Sequence, residues 1–109
     1  MKWIPLTSED GLKLIIEKSH QQAQIIFKHS TTCSISKMVL KRVESSPTPA
    51  GYDFYYLDLL TYRPVSNLVA TLLQVHHESP QVLVIRNGVC VYDESHMAIQ
   101  MEDIKEQLS

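Results

Sequence analysis

The sequence predicts an α/β fold, a central mixed four-stranded sheet flanked by helices, in the order α-β-α-β-α-β-β-α. Three observations carry this. Short apolar runs rich in β-forming residues alternate with segments whose apolar residues recur at helical spacing. The last two strand-like runs are joined by Asn87-Gly88, the residues a type I′ hairpin turn requires. The one Ser/Pro/Gly cluster, Val43 to Gly51, is short enough to be a loop, so residues 1–109 are expected to form one domain.

Each element has its own signal. Thr7 with Asp10 resembles a capping box, and Leu12, Ile15 and Ile16 follow on one face, which predicts a helix from Ser8 to Ser19, slightly weakened by Gly11. "QIIFKH", Gln24 to His29, suits a buried strand. Thr31 or Thr32 can cap the next helix, whose stripe is Ile35, Met38, Val39 and Val43, with Cys33 in its first turn. "DFYYLDLL", Asp53 to Leu60, predicts a second central strand. Pro64 suits the first position of a third helix, which carries Val65, Leu68, Val69 and Leu72 and ends near Val75. Strands Gln81 to Arg86 and Val89 to Asp93 form the hairpin, and Met101, Ile104 and Leu108 mark a final amphipathic helix.

Composition narrows the function. The chain has 109 residues, 44% hydrophobic and 20% charged, which is ordinary globular usage. A net charge of -2 gives no basic field, so nucleic acid and membrane are not expected partners. No signal-peptide core or long apolar run is evident, which predicts a cytoplasmic protein. With two cysteines, a disulfide framework is not expected, and no cysteine or histidine spacing closes a zinc site.

Attention therefore falls on "FKHSTTCSIS", Phe27 to Ser36. A thiolate, not a thiol, attacks disulfides, and the unsatisfied amides and dipole at a helix start favour the anion. That makes Cys33 the candidate nucleophile. Ser36 occupies the place of a second cysteine but cannot resolve a mixed disulfide, because exchange needs a second sulfur. Cys90, inside "VCVYD", faces opposite to Val89 and Val91 and is expected to be a packed thiol. His76 and His77 are adjacent and point apart, so they cannot make a two-ligand face. His29 and His77 are expected to be solvated loop histidines more than functional groups.

Four strings in order, "HSTTCSIS", "YRPVSN", "HHESPQVLVIRNG" and "ESH", resemble the monothiol bacilliredoxin family, and the element order resembles the thioredoxin-like fold over nearly the whole chain. In that family the residue after the cysteine is commonly proline; here it is Ser34, which adds an amide and a hydroxyl. The resemblance implies a thiol-disulfide oxidoreductase that removes a low-molecular-weight thiol, bacillithiol, from protein mixed disulfides. Its partners would be S-thiolated client proteins and the small thiol itself as cosubstrate, with no bound cofactor or metal. It implies Cys33 as catalytic residue and Thr32, Ser34, Ser36, Ser79, Pro80, His77 and His96 as substrate-binding residues. It further implies a cis Ser79-Pro80 bond beside the nucleophile, with the Ser79 backbone open to an extended substrate segment. Protonated His77 and His96 on the rim would favour thiolate and attract carboxylates of an acidic thiol.

Two alternatives stand beside this. One is an iron-sulfur cluster carrier of the monothiol glutaredoxin kind, which shares C-x-x-S, although Ser34 and Ile35 stand where that pattern has glycine and phenylalanine. The other is a non-catalytic binding module of the same fold.

Overall fold

The computed structural model describes residues 1–108. Its elements are β1 (Ile4–Pro5), α1 (Glu9–Lys18), β2 (Gln24–His29), α2 (Ser34–Ser45), β3 (Asp53–Asp58), α3 (Arg63–Leu73), β4 (Gln81–Arg86), β5 (Val89–Ser95), a 3-10 turn (His96–Ala98) and α4 (Met101–Leu108). The sheet has five strands in the order β1-β3-β2-β4-β5, against the four expected. The added strand, β1, pairs parallel with β3 through Ile4 and Pro5, and two residues are too few to show a period. Trp3 anchors this end: its ring lies 5.7 Å from Phe27 and 6.2 Å from Phe54, and its Nε1 donates to Glu44 of α2 at 2.7 Å.

β2 runs parallel to β3 and antiparallel to β4, and β5 turns back on β4. Side chains alternate across the sheet, so β2 feeds two cores. Ile25 and Phe27 join Val39 and Val43 of α2 and Ile104 of α4, whereas Ile26 joins Leu12 and Ile15 of α1 and Val65 and Val69 of α3. The hairpin turn has Asn87 at φ 54° and Gly88 at φ 79°, as its residues dictate. Among the described residues no helix is long and apolar enough to cross a membrane.

The helix starts differ in detail from the sequence expectation. Ser8, not Thr7, caps α1, its Oγ accepting the Gly11 amide at 3.0 Å. A Cβ at Gly11 would lie 3.2 Å from that oxygen, which explains a glycine inside the first turn. Helix α3 starts one residue before Pro64 and ends at Leu73.

This topology collects one edge of the sheet. β2 ends at His29 and β3 at Asp58, while Gln81, the first residue of β4, pairs with both Lys28 and Ser95, the last of β5. Helices α2 and α3 both begin beyond this edge.

Candidate active site

Cys33 leaves that edge at the start of α2. The Cys33 amide donates to the Ser30 carbonyl at 3.2 Å, closing a tight turn. Its own carbonyl accepts the first helical bond, from Lys37 at 3.0 Å. Cys33 is therefore the N-cap residue, with extended backbone, rather than a member of the first turn capped by a threonine. Thr31 and Thr32 are exposed, and the Thr32 hydroxyl lies 3.4 Å from that of Ser30. No side chain caps α2 and its first turn carries no acidic residue, so the first-turn amides stay available to an anionic sulfur. Cys33 is half-buried, flanked by exposed Thr32 and Ser34.

Ser36 is turned inward. It is fully buried at 0% exposure, and its Oγ accepts the Ser30 amide at 3.0 Å and lies 2.7 Å from Nδ1 of His29. His29 is 3% exposed, at the end of β2, with its ring against Tyr56 and Phe27. The expectation of a solvated loop histidine is overturned: the ring is on the α2 face because it alternates with Lys28 along β2. Burial holds the His29 pKa below its ordinary value, outweighing the pull of Asp58. The ring is thus neutral, and Ser36 ties the loop before Cys33 to the helix after it.

The Ser79-Pro80 bond is cis, and Pro80 is buried. The His96 amide donates to the Pro80 carbonyl at 3.0 Å, which brings the end of the hairpin onto this loop. The Nε2 of His96 lies 3.6 Å from the Glu78 carboxylate, and that of His76 lies 3.7 Å from it. Ser79 Oγ is buried without a hydrogen-bond partner.

His77 goes elsewhere. Its Nδ1 is 2.7 Å from Nζ of Lys28, whose side chain is fully buried on the opposite face of β2 from His29. Burial, then neighbouring Arg63, pushes the Lys28 pKa down to about 8, with Glu78 opposing. The His77 pKa is also lowered, first by burial and then by Lys28 and Arg63. His77 is therefore a neutral hydrogen-bonding group and not the protonated imidazole expected on the rim; the positive charge here belongs to Lys28 and Arg63. A lysine inside the apolar run "QIIFKH" was the available signal for this cluster.

Cys90 sits at the other end of the molecule. It pairs with Ile85 beside the Asn87-Gly88 turn, far along the sheet from Gln81 and the edge that carries Cys33. Its Sγ donates to the Tyr92 carbonyl at 3.2 Å, and burial pushes its pKa up to about 11.

Comparison with known proteins agrees with this geometry. A solved structure described as a candidate oxidoreductase with a thioredoxin fold shares 30% identity and superposes with a TM-score of 0.82, over 94% of this chain and 90% of that one. The Malassezia sympodialis thioredoxin, 18% identical, covers 98% of this chain and 88% of its own with a TM-score of 0.74. The oxidised thioredoxin of Plasmodium falciparum, also 18% identical, gives a TM-score of 0.74 over 99% and 100%. These establish the thioredoxin-like fold. The model of the family described as monothiol bacilliredoxin BrxC matches residues 4–104, nearly all of the chain. A cysteine at a helix start, a serine buried at the second motif position and a redox neighbour at 30% identity fit that match, and the chain belongs to the monothiol bacilliredoxin family.

Proposed function

We propose that this redox protein is a thiol-disulfide oxidoreductase that strips bacillithiol from S-thiolated client proteins, with Cys33 as its only reacting sulfur. The observation that carries the reading is the pairing of an uncapped helix start at Cys33 with a buried, non-sulfur side chain at Ser36. In the first step the Cys33 thiolate attacks the small thiol's sulfur in the client's mixed disulfide. A new disulfide forms between Cys33 and the small thiol, and the client cysteine leaves as thiolate. A second small-thiol molecule then attacks the adduct, releasing a small-molecule disulfide and regenerating the Cys33 thiolate. The proposed setting is the cytoplasm, where thiols are kept reduced.

Thr32, Ser34, Ser79, Pro80 and His96 are the groups proposed to line the client and small thiol, with Ser36 acting from beneath through its backbone and its tie to His29. Client release should be followed with a model protein carrying bacillithiol and, separately, glutathione. Rapid removal of bacillithiol that disappears in Cys33→Ser is expected. Equal removal of glutathione would reject the assignment of the small thiol, and full activity of Cys33→Ser would reject the mechanism.

A further inference from the structure

Helix α2 carries Cys33 at its start and, in its last turn, an arginine that the exchange chemistry does not use. Arg42 reaches across to the 3-10 turn His96–Ala98: its Nη2 donates to the Met97 carbonyl at 2.7 Å and also to the Ile99 carbonyl. Side chains on a helix lean toward its N-terminus, here the Cys33 end. The same turn is tied on its other side, where the His96 amide donates to the Pro80 carbonyl at 3.0 Å. It is therefore strung between the helix of the nucleophile and the Ser79-Pro80 loop.

His96 stands at φ 56°, in the left-handed region that a residue other than glycine keeps only where its surroundings hold it. His96, Met97 and Ala98 are all exposed, so apolar packing does not hold them; Ile99, just beyond, is the first residue in the core. The His96 imidazole lies 3.6 Å from the Glu78 carboxylate, an exposed contact of the kind that contributes little. The remaining ties are the Pro80 bond and the two carbonyls on Arg42. A guanidinium suits that task, because it stays charged and aims two hydrogens of one nitrogen at separate acceptors.

We propose that Arg42 is a positioning residue for the exchange reaction: by clamping the Met97 and Ile99 carbonyls to α2 it keeps His96 left-handed and holds the His96 and Pro80 rim in place relative to Cys33. The inference rests on the exchange reading above and adds a residue that acts on it from outside the reacting groups. Without the clamp His96 relaxes toward negative φ and its amide leaves the Pro80 carbonyl. The fraction of molecules with the rim formed then falls about tenfold, the scale of one charge-assisted hydrogen bond.

The test measures transfer of bacillithiol from an S-thiolated model protein to Cys33 by quenched mass spectrometry. Each rate is divided by that of Cys33 with 2-hydroxyethyl disulfide, a small neutral disulfide that needs only an accessible thiolate. Both reactions form one disulfide at Cys33 and release one thiolate, so the ionisation of Cys33 cancels in the ratio. The ratio should fall about tenfold in Arg42→Met, and by less in Arg42→Lys, which keeps the charge without the planar fork. The deciding readout is the His96→Gly background, because glycine adopts positive φ freely and leaves the clamp nothing to hold. There Arg42→Met should change the ratio by less than about twofold. Amide hydrogen exchange at residue 96 should follow the same pattern, accelerated about tenfold by Arg42→Met alone and unaffected when His96→Gly is also present. An arginine that merely braces the fold would cost as much in either background. That result, or an unchanged ratio in Arg42→Met, overturns the inference and leaves the exchange reading intact. Failure of the unmodified protein to transfer bacillithiol removes the exchange reading and the inference with it.

Discussion

Replacing Ser36 with alanine should destabilise the protein far more than a surface serine would. The hydroxyl is fully buried and serves two groups at once, the Ser30 amide at 3.0 Å and the His29 ring nitrogen at 2.7 Å. Ser30 and His29 are themselves buried, at 8% and 3% exposure, so water has little access to replace it. An unsatisfied buried donor or acceptor costs about 1–3 kcal/mol, and taking the low end for each partner gives roughly 2 kcal/mol in total. For 109 residues, an unfolding entropy of about 2.1 cal/mol/K per residue converts this to a Tm lower by about 9 °C. Calorimetry at pH 7 measures it. A double-mutant cycle with His29→Gln should show coupling of about 1 kcal/mol, because each change removes the same contact. A Tm shift below about 2 °C, or additive losses in the cycle, would refute the role given to the hydroxyl.

Three further outcomes follow from the titrating groups. Burial places the folded-state pKa of His29 below the unfolded 6.5, so the unfolded chain binds protons more readily. Stability is complete above that pH and is lost as pH falls through it, and His29→Gln should flatten the decline in chemical denaturation. His77 shifts in the same direction, so the slope should shrink but not vanish. Lys28→Met removes a buried charge whose pKa is pushed from 10.5 to about 8, and it should raise stability at pH 7 by about 1 kcal/mol; a loss of that size would contradict the burial cost. Iodoacetamide at pH 8 should label Cys33 well before Cys90, whose pKa is about 11, and peptide mapping that finds Cys90 labelled first would contradict its packing.

The elements that could be read from the sequence are those with a period to read. "QIIFKH", "QVLVIR" and the helix stripes carried the sheet and both cores, and Asn87-Gly88 fixed the hairpin. β1 escaped because a two-residue strand has neither period nor composition. The cap positions differ by one or two residues: Ser8 rather than its neighbour Thr7 caps α1, and at α2 neither threonine caps, because the turn closed by the Ser30 carbonyl and the Cys33 amide makes Cys33 itself the N-cap. At the site, motif spacing marked Cys33, but the partners of Ser36 and Lys28 were not legible. His29 to Ser36 joins a strand end to a helix, and Lys28 to His77 joins β2 to the loop before β4, contacts that only the folded topology makes. His29 meets Ser36 on one face of β2, and His77 meets Lys28 on the other.

The central claim is that one sulfur accepts the small thiol and nothing inside the chain resolves it. Its most direct test is intact mass and peptide mapping of the protein, quenched during reaction with a bacillithiolated model protein. The predicted product is a single bacillithiol adduct on the peptide containing Cys33, with Cys90 unmodified and the client's cysteine free. The positions of the two cysteines at opposite ends of the sheet keep Cys90 from resolving such an adduct. A Cys33-Cys90 disulfide, or accumulation of client protein joined to Cys33, would contradict it.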